Sequence, residues 1–315
     1  MIGRWLRPPA AAACVAAALA GVGALAQPSD GLELALVGLD GRVDVLGAVP
    51  PTVFAPRVSP DGREAVFETI DQDDEGTSAR LWIAELGDLD ARRPLPQAGG
   101  PINWAALWTT DGDGIVFVVS GPSRPDTLFR QSAEGGADGE PLLAARSAES
   151  WTPDGRYLTY LTLQGDEDYG IALLDLETGE TRTLIDLPGS AEHSSNVSPN
   201  GRWIAFATNE SGRFEVWVAP LANPSERHRV TRGGGGHPVW SPDGRKLYFD
   251  RDQRLYEVAI ETAGERGIEI GVSRPLPIAG FVQGLYRRQF DLMPDGRAFL
   301  VLLPAGPDTT DGARE

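Results

Sequence analysis

One short turn is written six times along this chain, and no other feature restricts its possible folds so tightly. The copies are VSPDGREAVF from Val58, WTTDGDGIVF from Trp108, WTPDGRYLTY from Trp151, VSPNGRWIAF from Val197, WSPDGRKLYF from Trp240 and LMPDGRAFLV from Leu292. The turn Asp or Asn falls at positions 61, 111, 154, 200, 243 and 295, at intervals of 43 to 52 residues. A recurrence of this length marks a repeat architecture, in which no unit buries its apolar face alone. Each residue of the turn has a physical task. Pro presets φ at the first turning position, Asp or Asn bonds back to nearby backbone, and Gly supplies the positive φ that returns the chain. The second copy departs from this wording, with Thr110 in place of Pro and Asp113 in place of Arg.

Apolar residues alternate after each turn, as in Leu247 and Phe249 or Ile204 and Phe206, which is the period of a strand. A polar hairpin loop and a third strand follow, such as RLWIAEL from Arg80 or FEVWVAPL from Phe214, and then a more polar fourth strand such as TRTLIDL from Thr181. Four short antiparallel strands per repeat and no helical periodicity predict an all-β chain, a six-bladed β-propeller of four-stranded blades. The ends carry the test of this reading. After the last turn only AFLVLLP remains, whereas LELALVGLDGRVDVLGAVP near the start offers two strands with no such turn before them. The last blade is therefore predicted to be shared by N- and C-terminal strands, which removes the open edges of a linear stack.

The domain reading is a signal peptide over 1–26, a propeller over 27–304 and a flexible tail over 305–315. Arg4 and Arg7 precede the small apolar run from Ala10 to Leu25, and Ala24-Leu25-Ala26 supplies small residues for cleavage before Gln27. The expected location is the periplasm or beyond. Cys14, the single cysteine, lies in that leader, so the mature chain has no disulfide and no thiolate. Loss of Arg4 and Arg7 takes the formal charge from −17 to −19. That acidity disfavours nucleic acid and anionic membrane surfaces, since both require clustered cations.

The [VW]-[ST]-P-[DN]-G-R pattern, repeated with its alternating apolar sequel, resembles the TolB-type, WD-like propeller repeat from about residue 32 to 304. TolB carries a further α/β domain before its propeller, and the stretch before residue 32 is too short for one. GRWIAFATNESGRFEVWVAPL from Gly201 and GGGGHPVWSPDGRKLYF from Gly233 look closest to propellers fused behind bacterial membrane-bound serine/threonine kinases. That resemblance implies an extracytoplasmic sensing or docking module. Neither a kinase signature nor the G-x-S-x-G elbow of a hydrolase domain is present in the chain.

Counting back from each turn Asp or Asn, alternation points residues four and six places earlier toward a central channel. This set contains Arg57, Ser150, Asn196, His237, Gln289 and Asp291, with His193 one place further out. Arg57 and Asp291 are expected to pair across the channel, and Trp104 stands close to its mouth. The resemblance to propeller lyases that hold a metal with His and Gln makes the convergence of His193, His237 and Gln289 the test of an enzyme. Two histidines on adjacent blades fall short of a three-ligand site, and no metal or other cofactor is expected. Asp71, Asp73 and Glu75 resemble the opening of a calcium loop, but its twelfth position is Trp82 where a bidentate Glu is required, so a solvated acidic turn is expected. Trp108, Trp151 and Trp240 before the turns, with Trp82 and Trp217 on third strands, recur in register and are expected to pack blade against blade. The functional expectation is a non-catalytic protein- or peptide-binding module of the envelope, binding through the loop face around the channel. The alternatives are a lyase or hydrolase acting on a polysaccharide or peptide through channel residues, and a structural subunit of an envelope assembly.

Overall fold

The computed structural model describes residues 31–305 apart from 74–75, 122–123, 137–138, 163–168, 264–266 and 285–286. The leader, the acidic loop at 163–168 and the tail from 306 lie outside the described residues, as does Glu75. Among the described residues every regular element is a β-strand.

The recurring turn forms as its residues dictate. The amide of Gly244 donates to the carbonyl of Ser241 at 2.8 Å, Ser241 Oγ donates to Asp243 Oδ1 at 2.6 Å, and Asp243 Oδ1 accepts the Arg245 amide at 3.0 Å. The Ser241 hydroxyl also accepts the Lys246 amide at 2.9 Å, closing the turn into a small polar ring. The turn glycines 62, 112, 155, 201, 244 and 296 all have positive φ. They have a second role. A Cβ on Gly201 would touch Pro153 at 3.4 Å, one on Gly244 would touch Pro199 at 3.7 Å, and one on Gly296 would press on Pro242 at 2.9 Å. Each of these prolines belongs to the preceding turn. Gly112 lies against Pro60 and Gly155 against Thr110 in the same way, and Gly62 lies against Pro294, joining the first turn to the last.

The strands after the turns are buried on both faces, as Trp203–Thr208 shows along its whole length. Alternation sorts their side chains between two neighbours. Trp203 and Ala205 pack with Trp240, Leu247 and Phe249 of the following repeat, and Ile204 and Phe206 pack with Leu161 and Ile171 of the preceding one. A strand held between two sheets has no solvent face, which explains its near-continuous apolar wording.

The strands form antiparallel meanders, each in a simple up-and-down order. Tyr157–Leu161 lies between Ser147–Trp151 and Ile171–Asp175, with Thr181–Ile185 outermost, and the next repeat copies this order. Two meanders, at 53–94 and 102–144, merge into one eight-stranded sheet through the parallel bridge Ala79↔Ile102. The fifth repeat departs from the predicted four strands. Arg254–Ala263 is ten residues long, and its two halves pair separately with Arg274–Ala279 and with an added strand, Gly267–Ile270. Its extra length carries it beyond the blade edge, where the second hairpin satisfies its backbone.

The two ends meet. Leu32–Gly38 pairs antiparallel with Ala298–Pro304 over its full length, from Leu32↔Pro304 to Gly38↔Ala298. The sheet order runs from Val43–Val49 through these two strands to Phe290–Leu292. Leu32 and Leu34 join the core with Val53, Ala65 and Phe67 of the first repeat, while Ala35 and Val37 join that with Val239 and Tyr248 of the fifth. The closing sheet is thereby held on both faces.

Candidate functional site

The first strand of each repeat departs from simple alternation, and this decides which side chains meet. Ala55, Ala105, Ser194 and His237 each stand six places before a turn residue, and each has φ between 48° and 57°. Non-glycine residues in this left-handed region cost roughly 1–2 kcal/mol each. Ladder registers shift at the same places, between Phe54 and Arg57, Trp104 and Leu107, His193 and Asn196, and Gly236 and Val239. The result is a repeated β-bulge that turns backbone amides toward the neighbouring repeat. Those amides find carboxylate or carboxamide partners. Ala55 N donates to Gln289 Oε1 at 2.8 Å, Ala105 N to Glu68 Oε2 at 2.9 Å and Ser195 N to Glu149 Oε2 at 2.9 Å.

The bulge corrects several sequence-based expectations. Residues four places before the turn do not all face a channel. Ser150 Oγ accepts Val197 N at 3.0 Å, Asn196 Oδ1 accepts Trp240 N at 2.9 Å and Asp291 Oδ2 accepts Val58 N at 2.9 Å. These side chains stitch each repeat to the next. Arg57 and Asp291 do not form the expected pair. Asp291 bonds Arg288 at 2.7 Å, and Arg57 Nη1 donates to the carbonyls of Pro56 at 2.8 Å and Arg288 at 2.9 Å. Gln289 spends its carboxamide on main chain, at Ala55 N and, at 3.4 Å, Arg287 O.

The histidines do come together. The rings of His193 and His237 lie 5.5 Å apart between centroids, and both are buried. Asp250 Oδ1 lies 2.9 Å from His237 Nδ1. Where the carboxylate is ionised it only accepts, and Nδ1 is then the donor of this contact. Asp250 is itself held by Gln283 Nε2 at 3.0 Å. Both histidines line a cavity of about 450 Å³ beside the Gly233 to Gly236 loop. Burial, reinforced by neighbouring His237, holds the His193 imidazole well below its ordinary range, so it is neutral near pH 7. Among the described residues no group of three or more His, Cys, Asp or Glu side chains is placed to hold a metal ion. Asp71 is exposed at the start of the acidic hairpin, and the side chain of Asp73 lies outside the described residues.

Trp104 is buried, with 9 % of its surface exposed, and does not offer a stacking face to solvent. Its indole N–H donates to Ser120 Oγ at 2.8 Å, and the Arg287 guanidinium lies 5.4 Å from its ring centre. The tryptophans before the turns are seam residues, as expected. Trp108 Nε1 reaches Arg57 O at 3.0 Å, Trp151 Nε1 reaches Trp108 O at 2.8 Å and Trp240 Nε1 reaches Asn196 O at 3.1 Å, each a carbonyl of the preceding repeat. Trp82 and Trp217 lie further out, under arginines 92, 227 and 229.

First strands of successive repeats enclose a second cavity, of about 40 Å³, and it is strongly polar. Arg57, Ser147, Glu149, Ser195, Arg287 and Arg288 contribute to its wall, with residues 105 to 107. Glu149 and Ser195 stand five places before their turn residues, so the bulge has moved the inward position by one. Nothing in an alternation pattern reports a bulge, and these two residues escaped the sequence reading. The adjacent pair Arg287-Arg288 was a visible signal in an acidic chain. Arg287 is paired with Glu68. Burial, followed by the positive field of Arg288, lowers Arg57 to about 9. Burial also raises the Glu149 carboxyl, against the opposing hydrogen bonds from Ser147 and the Ser195 amide.

No family model matches the chain. An uncharacterized protein of Agrobacterium fabrum is 26 % identical over 219 residues, covering 66 % of this chain and 69 % of that protein. The Tol-Pal system protein TolB of Methylobacillus flagellatus is 34 % identical over 76 residues, covering 24 % of this chain and only 17 % of TolB. Among solved structures, a protein provisionally described as TolB from Agrobacterium tumefaciens superposes with a TM-score of 0.67 at 18 % identity, covering 88 % of this chain and 99 % of that one. The likeness shows the fold: a TolB-like β-propeller.

Proposed function

We propose that this chain is an exported, non-catalytic docking module of the cell envelope, a ring of six four-stranded blades that receives a protein or peptide on its loop face. The observation that carries the reading is the polar cavity where first strands of several repeats converge, with the Arg57 guanidinium in its wall. The six turn glycines packed on preceding turns and the paired chain ends support the closed ring. A rigid ring bearing variable loops suits recognition. The basic lead and apolar run before Gln27 support export, and among the described residues no helix is long and apolar enough to cross a membrane.

The test is capture from an envelope extract by the mature protein. Arg57→Gln in the cavity and Arg213→Glu among the exposed loops should each lower recovery of a specific partner. Arg202→Glu, at the turn end of the blades, should leave recovery unchanged. Equal recovery by all three would refute docking on the loop face.

A second reading rests on His237. Asp250 orients its imidazole, and its buried Nε2 has no hydrogen-bond partner among the described residues. That arrangement suits a general base of a lyase or hydrolase acting on a polysaccharide or peptide. Under this reading His237→Gln abolishes turnover of such a substrate while Arg57→Gln preserves the chemical step.

A further inference from the structure

The charges around the axial cavity do not balance in pairs. Arg287 is matched with Glu68, and Arg288 with Asp291. Glu149 receives the Ser147 hydroxyl at 2.6 Å and the Ser195 amide at 2.9 Å, and among the described residues no cation lies within ion-pair distance of it. Arg57 is left over. Its bonds, both through Nη1, go to the carbonyls of Pro56 and Arg288, and no carboxylate lies within ion-pair distance of it among the described residues. Nε and Nη2 keep their donors. Beside it, Arg288 Nε is buried without a hydrogen-bond partner among the described residues. Unused guanidinium donors on two side chains thus border one cavity.

Leaving a buried donor unsatisfied, as at Arg288 Nε, is costly, and more so when the group is charged. A carboxylate supplies the two things missing here: a negative charge, and acceptor oxygens that suit the planar fork of a guanidinium. A volume of about 40 Å³ exceeds the roughly 10–15 Å³ that one water requires, and is too small for a large ligand body. The body of the ligand must then remain outside, on the loop face.

We propose that the axial cavity is a receptor for a single carboxylate, taken by Arg57 with help from Arg288 and presented by a peptide lying on the loop face. This rests on the docking reading and deepens it by naming the group that enters. The carboxylate belongs either to a chain terminus or to an Asp or Glu side chain, since both present the same chemistry. Glu149 shares the cavity wall and repels an incoming carboxylate when ionised, so the site is strongest when Glu149 is neutral.

The experiment follows the arginine Nε–Hε resonances of the ¹⁵N-labelled mature protein. Sodium acetate, sodium chloride and acetamide are titrated separately at constant ionic strength. Saturable shifts of Arg57 and Arg288 with acetate alone are expected. Arg57→Gln should weaken acetate binding at least tenfold, and Glu149→Gln should strengthen it severalfold. The Glu149 variant keeps the proposal testable if the Arg57 variant does not fold. An acetylated triglycine with a free C-terminus and an acetylated Gly-Asp-Gly amide then distinguish terminus from side chain. No saturable shift, or an equal response to chloride, overturns the proposal. If acetate fails while partner capture remains sensitive to Arg213→Glu, only the carboxylate site falls. If acetate binds but no partner is captured, the docking reading falls, and with it the presenting peptide, while the anion site itself stands.

Discussion

Replacing Gly296 by alanine should destabilise the protein more than replacing Gly179, although both glycines have nearly the same backbone. Their φ values are 71° and 73°, so the left-handed conformation costs each alanine about the same, roughly 1–2 kcal/mol. Their surroundings differ. A Cβ at Gly179 meets nothing within 4 Å, whereas at Gly296 it lies 2.9 Å from Pro242 Cδ and 3.2 Å from Cγ. The pyrrolidine ring has no rotamer that withdraws those atoms, and overpacking of this kind costs about 1–3 kcal/mol. Gly296→Ala should therefore lose about 2–5 kcal/mol and Gly179→Ala about 1–2 kcal/mol. Gly155→Ala supplies an internal control. Its Cβ would lie only 2.6 Å from Thr110 Oγ1, but a threonine side chain can rotate away, so its loss should be intermediate. Urea denaturation measures all three, with an unchanged m-value showing that the unfolded states are comparable. Equal losses for Gly296→Ala and Gly179→Ala would refute the claim that turn glycines form the seam between repeats.

Asn196→Ala removes the acceptor of the Trp240 amide and leaves a part-buried donor unpaired, so a loss of about 1–3 kcal/mol is expected by the same denaturation assay. An unchanged midpoint would show that the stitch is replaceable by water. Glu149 predicts a pH signature. Burial raises its carboxyl above the ordinary value of 4.5, so in that window the folded chain holds a proton that the unfolded chain has released. Its contribution is therefore greatest at low pH and is lost as pH rises through the raised value. Glu149→Gln should flatten that fall relative to the wild type as pH rises above 4.5. A steeper fall in the variant would reverse the assigned sign.

Much of the fold was legible before any coordinates, because its determinants are local and repeated. Pro, Asp or Asn, and Gly specify the turn through their own backbone preferences, and alternation after it specifies a strand. The repetition supplied the arrangement of strands, and the orphaned segments at 32–49 and 298–304 identified their own pairing. Trp108, Trp151 and Trp240 could be assigned to the seams because equivalent places in successive repeats meet equivalent neighbours. The added strand Gly267–Ile270 was missed because its segment follows the same strand chemistry as its neighbours.

The candidate site was legible only in part, for a different reason. Arg57 could be placed near the axis by counting from its turn. Asn196 and Asp291 were counted in with it, yet they hold neighbouring repeats together. The repeated bulge changes which successive residues turn inward, and Ala55, Ala105, Ser194 and His237 carry no local signal for a left-handed backbone. That conformation is imposed by partners distant in sequence, such as Gln289 for the Ala55 amide and Glu68 for that of Ala105. Turn chemistry acts over four or five neighbouring residues, so the amino-acid sequence alone determined the repeat and its closure. Which charges face one another across the axis depends on side chains more than two hundred residues apart, as with Arg57 and Arg288, and only the tertiary structure decided it.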